Sequence, residues 1–180
     1  MSEFEAYSNE LLTSTKKFLQ EAKANDVKTE KQRLLRSALT HSFFFLEDQL
    51  NYLASHFATS ADFSVVEQSL LTEKDVALIK GRFVLTDKKK YYRLEDLIEF
   101  ILTRFSTDLE ASKSGWFSDL SSSIKVRNRL VHPKEAHNIS EDEVEKTLLA
   151  VLGCVSEMYS AIFGKKFPPA ALGLHIGPES

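Results

Sequence analysis

The chain has 180 residues, of which 43% are hydrophobic and 27% charged, with a formal net charge of −3; this is the composition of one globular domain with room for a sizeable core, not of a disordered chain. The acidic balance argues against a general nucleic-acid binder, whose phosphate-binding surface makes a domain basic, and the single cysteine excludes an internal disulfide and a sulfur-rich zinc site. Charges interrupt the longest apolar runs and the acidic "MSEFEAYSNE" lacks the layout of a secretory signal, so the expectation is a soluble cytoplasmic protein with no membrane span, no metal and no cofactor.

Apolar spacing is helical almost throughout. Phe4, Tyr7, Leu11, Phe18, Leu19 and Ala22 make a first stripe. Thr29 and Gln32 have capping-box spacing and announce a second helix, whose apolar residues run from Leu35 through Phe43 and Leu50 to Phe57. "HSFFFLEDQLNYLA" is apolar on more than one face, which places this helix at the centre of the fold. A short helix fits "TSADFSVVEQSLL", and another is expected over residues 72–80, closed by Gly81. "RFVLTDKKKYYR" alone has β-like composition and reads as a short hairpin or an irregular loop. Helical spacing returns with Leu94, Leu97, Ile98, Ile101, Phe105 and Leu109, "EASKSG" breaks it, and a further helix begins near Trp116. Ser140 and Glu143 make a second capping box, Ile139 can staple onto Val144, and Gly164 stands where the last long helix stops. Cys154, among Leu152, Val155 and Met158, is expected in the core. "KKFPPAALGLHIGPES" holds three of the four prolines and reads as an irregular tail. The expected fold class is all-α, a bundle of four to five main helices over residues 1–166 with an irregular C-terminal tail over 167–180.

One segment stands apart. "VRNRLVHP", residues 126–133, lies on the last turns of the helix that begins near Trp116. The stripe of that helix, Phe117, Leu120 and Ile124, continues into Arg127 and Asn128 before Val131, so polar side chains are expected where apolar ones should follow. A buried arginine needs a partner, because unpaired charge in a low dielectric is costly. Either a carboxylate waits for Arg127, or this face opens onto a cleft or a second chain. Asn128 and His132 are four residues apart and share a face. Pro133 disfavours helical backbone at its predecessor, which puts His132 at or just past the last turn, free to swing toward Arg127.

"RNRLVHP" resembles the signature of the HEPN superfamily, an arginine, a polar residue and then, four to six positions on, a histidine. Arg127, Asn128 and His132 take those places, and the layout of a long central helix, a motif helix and a capped final helix is similar. The resemblance implies an all-α domain that forms a two-fold dimer with the motif helices facing one cleft. It implies a metal-independent endoribonuclease, often a toxin or an effector of stress and antiviral defence, although other members are inactive scaffolds. A cognate nucleotidyltransferase-type antitoxin is a further partner that it suggests.

The chemistry fits a dimer. Cleaving RNA through its own 2′-hydroxyl needs a base for that hydroxyl, an acid for the leaving 5′-oxygen and positive charge around the phosphorane. One chain offers one such histidine; a symmetric dimer brings a second, with two arginines. On this reading His132 transfers protons, Arg127 stabilises the phosphorane and Asn128 orients phosphate or imidazole, with Lys125, Arg129 and Lys134 as candidate RNA contacts. The competing reading is a non-catalytic module that binds RNA or a protein partner through the same dimeric fold.

Other features carry less. Residues 80–93 hold six basic residues against Asp87 alone, and "KKKYYR" admits a base stacked on Tyr91 or Tyr92, although a solvated loop accounts for it more simply. His41 reads as a hydrogen-bonded core residue, and His56, His137 and His175 have no carboxylate or cysteine at ligand spacing. There is no glycine-rich phosphate loop and no nucleophile elbow.

Overall fold

A computed structural model describes residues 3–57, 60–113, 115–132, 135 and 137–176. Pro133 and Lys134 of the motif region lie outside them. In chain order come α1 (Glu3–Lys23), α2 (Lys28–Phe57), α3 (Val65–Thr72), β1 (Lys74–Ile79), β2 (Arg82–Lys89), α4 (Leu94–Phe105), α5 (Leu109–Lys113), α6 (Phe117–Val131) and α7 (Glu141–Phe163), followed by a 3-10 turn over Pro168–Leu172. The protein is therefore mostly helical, with one antiparallel hairpin where an all-α chain was expected.

α2 and α7 form the centre. Leu35, Leu39, Phe43, Leu46, Leu50 and Leu53 of α2 and Val144, Leu148, Val151, Val155 and Met158 of α7 are buried in one core, each contributing about 1.5–3 kcal/mol by leaving water. α1 packs along α2, and α4 and α6 pack on α7. α7 is long and apolar enough, by length and composition, to cross a bilayer, contrary to the expectation that charges break every such run; half of that stretch is buried inside the bundle. Cys154 is fully buried, and burial pushes its thiol well above the ordinary range, which leaves it unreactive.

The start and end of α7 follow the sequence closely. The Glu143 N–H donates to the Ser140 hydroxyl (3.1 Å), the Ser140 N–H donates to the Glu143 carboxylate (2.8 Å), and Gly164 ends the helix with φ of 66°. Ile139 and Val144 are both buried in the core. The box expected at Thr29 and Gln32 does not form, because α2 already starts at Lys28. Gln32 instead reaches across the fold, where its amide donates to the Ile139 carbonyl (2.8 Å) and accepts from the Ile139 N–H (2.9 Å). That clamp ties the entrance of α7 to the start of α2.

Residues 72–80 are not a helix. β1 pairs with β2 in a register that sets Ile79 opposite Arg82 and Val76 opposite Leu85. Lys80 and Gly81, between the strands, both have positive φ, 50° and 77°. That is the backbone of a two-residue hairpin turn, whose twist matches the strands it joins. Gly81 thus closes a hairpin and not a helix. "RFVLTDKK" is its second strand, while the short helix in the preceding segment exists as α3, begun by a Ser64–Glu67 capping box. The expected stripe from Leu94 to Leu109 divides earlier than "EASKSG": α4 ends at Phe105, and Leu109 opens α5. The tail is less irregular than its composition suggests, since Phe167, Ala170 and Leu174 pack against the core and Lys16 donates to the His175 carbonyl (2.7 Å).

Candidate functional site

α6 carries the motif and is seated by two contacts with α7. Trp116, just before α6, packs so tightly on Gly153 that a Cβ there would lie 2.9 Å from the tryptophan Cβ. Further along, the Thr147 hydroxyl donates to the Ser123 hydroxyl (2.8 Å), which itself donates to the Asp119 carbonyl (2.7 Å). The buried stripe is Leu120, Ser123 and Val126, with Leu130 half-buried. It is rotated from the expected line through Ile124, Arg127 and Val131, and the rotation follows from these small residues meeting α7. The motif side chains consequently flank the apolar seam and do not interrupt it.

Arg127 is half-buried and does meet a carboxylate. Its Nη2 donates to Glu47 of α2 at 2.9 Å, its Nη1 makes a long contact of 3.5 Å with the Asn128 side-chain oxygen, and its guanidinium lies 5.8 Å from the Phe43 ring centroid. The pair is not sealed from water, since 36% of the arginine side chain and 40% of the glutamate remain exposed. Both alternatives posed by the sequence hold together, because Arg127 and Glu47 also line a cleft of about 380 Å³. Tyr91, Tyr92 and Arg93, which follow the hairpin, form part of its wall. Among the described residues one guanidinium nitrogen is engaged at short range, which leaves further donors for an anion.

His132 ends α6 with φ of −124° and ψ of 65°, out of helical backbone as the following proline requires, and its N–H donates to the Asn128 carbonyl (3.0 Å). His132 and Asn128 are exposed and stand outside the cleft lining, with exposed Val131 beside them. The three motif residues thus share one helix end, Arg127 on the cleft and the other two facing solvent.

The candidate RNA contacts lie elsewhere. Lys125 and Arg129 line a different cleft of about 510 Å³ between α6 and α7, together with Asp119, Glu143 and Lys146. There two carboxylates offset much of the positive charge. Lys134 lies outside the described residues. The His41 Nδ1–H donates to the Ser37 carbonyl (2.8 Å) and the ring packs between Phe18 and Phe44, and among the described residues no three His, Cys, Asp or Glu side chains converge as metal ligands would.

Glu47 is the residue of this candidate site that the sequence pattern did not single out. Its signal was present: "FFFLEDQL" puts two acids inside the most apolar helix, and a charge there needs a partner. No protein-family model, no curated protein and no solved structure matches the chain.

Proposed function

We propose that this protein is a metal-independent endoribonuclease of HEPN type, working as a cytoplasmic homodimer. The observation that carries the reading is the end of α6, where a half-buried arginine on a cleft is followed, just past the last helical turn, by an exposed histidine. Arg127 supplies fixed positive charge for a phosphorane, held in orientation by Glu47, and Asn128, exposed beside it, orients phosphate or imidazole. His132 is the proton-transfer group. The second base or acid comes from the partner chain when two α6 ends face one another, and exposed Val131 gives that contact an apolar residue. A toxin or defence role, with a nucleotidyltransferase-type antitoxin covering this face, is part of the same proposal.

One observation favours the second reading, a non-catalytic module that binds RNA or a protein. Glu47 already neutralises Arg127, and an arginine committed to a structural ion pair offers a phosphorane little. Cleavage of RNA in excess EDTA by the wild type and by His132→Ala separates the two. We expect 2′,3′-cyclic phosphate ends from the wild type and a loss of at least about 100-fold in the variant. A folded dimer that leaves a broad panel of RNAs intact would establish the module instead.

A further inference from the structure

The cleft beside Arg127 has the chemistry of a base slot. Its floor is apolar, made by Leu50, Leu70, Leu94 and Leu97. Its charges balance, with Arg93 and Arg127 against Glu47 and Glu73, so it has no net attraction for phosphate alone. Arg93 is held by Glu95 at 2.7 Å and Arg127 by Glu47 at 2.9 Å. Glu73, half-buried at the end of α3, has no side-chain partner among the described residues. A carboxylate on a cleft that no protein donor occupies is free to accept from the donors of a ligand.

The wall is fixed in position. The Lys90 N–H donates to the Glu73 carbonyl (2.9 Å), the Tyr92 hydroxyl shares a 2.8 Å hydrogen bond with Ser69, and the Lys90 ammonium sits 5.2 Å from the Tyr92 ring centroid. Tyr91 is left with 73% of its surface exposed at the mouth of the cleft. An exposed aromatic ring on a cleft with apolar lining can stack an unpaired base.

We infer that this cleft binds one unpaired guanine of a single-stranded RNA, stacked on Tyr91 and held through N1–H and the N2 amino group by the Glu73 carboxylate. Guanine is the base whose pairing edge carries two adjacent donors, matching the two oxygens of a carboxylate. The inference rests on the ribonuclease reading in one respect: a base in the slot brings its neighbouring phosphate to Arg127, so cleavage falls beside guanine.

The test is fluorescence anisotropy with labelled, 2′-O-methylated single strands, which cannot be cut by 2′-hydroxyl attack, containing one guanine, inosine or adenine in a uridine context. The wild type is expected to bind the guanine strand about tenfold tighter than the others. Tyr91→Ala, at an exposed position that leaves folding intact, is expected to weaken that binding about tenfold. Glu73→Gln, which keeps the side-chain shape, is expected to reduce the guanine preference to near unity with adenine binding unchanged. Binding by both variants indistinguishable from wild type overturns the slot, even where EDTA-resistant cleavage shows that the ribonuclease reading is right. A guanine preference that depends on Tyr91 and Glu73 without any cleavage upholds the slot and overturns catalysis. No binding of any strand by the wild type overturns the slot, and the cleavage assay alone decides the ribonuclease reading.

Discussion

At the scale of single residues the decisive group is Arg127. Its ion pair with Glu47 is more than a third exposed on each side, and such pairs contribute no more than about 1 kcal/mol to stability. An arginine that stabilises a phosphorane contributes far more to rate, typically about 100- to 1000-fold. Arg127→Ala should therefore cost at most about 1 kcal/mol in urea unfolding while lowering EDTA-resistant cleavage by at least about 100-fold. A stability loss of several kcal/mol with cleavage unchanged would make the pair a structural bridge between α2 and α6. The place of Arg127, Asn128 and His132 at one helix end was legible in the sequence because they lie within one short segment. Glu47 was not: it meets Arg127 across 80 positions of chain, and no local spacing rule connects them. The need for such a partner was legible, through the cost of burying charge; its address was not.

Between elements, the packing of α6 on α7 sets where the motif points. Gly153 lies inside α7, where alanine would ordinarily favour the helix by about 1 kcal/mol. The Trp116 Cβ and ring occupy the space that a methyl group needs, and this part of the tryptophan is fixed to its own backbone. Gly153→Ala should then destabilise the protein by about 1–3 kcal/mol in spite of its better helix propensity, as read from the urea midpoint. A gain in stability would mean that α6 can shift away. The long helices were legible from their apolar period, and α7 also from its capping box and terminal glycine, since each signal lies within a few residues of what it specifies. The hairpin was not. Val76, Ala77 and Ile79 in β1 and Gly81 beyond them fit a short helix with a glycine stop as well as a strand, and pairing with β2 decides between them. Likewise Gln32 has the spacing of a capping residue but bonds Ile139, more than a hundred positions away. In both cases tertiary contact outweighed local pattern.

For the whole molecule the issue is assembly. One chain presents one His132 at an exposed helix end, while the proposed reaction needs an acid and a base at one phosphate. If the proposed dimer is the active form, cleavage per chain falls on dilution in step with the dimer fraction measured by sedimentation. Activity proportional to concentration well below that equilibrium would place both proton transfers in one chain. The Glu47–Arg127 pair has a further meaning at this scale. Glu47 is a tethered anion resident in the site, present at an effective concentration that small dissolved anions do not reach. On the proposed function, free phosphate or a mononucleotide meets this resident charge unaided and competes poorly. A strand anchored at a second point on the same chain arrives with an effective concentration of its own and can engage the guanidinium donors that Glu47 leaves open. On the proposed function the pair sets a threshold, which favours the polymer of RNA over its monomers.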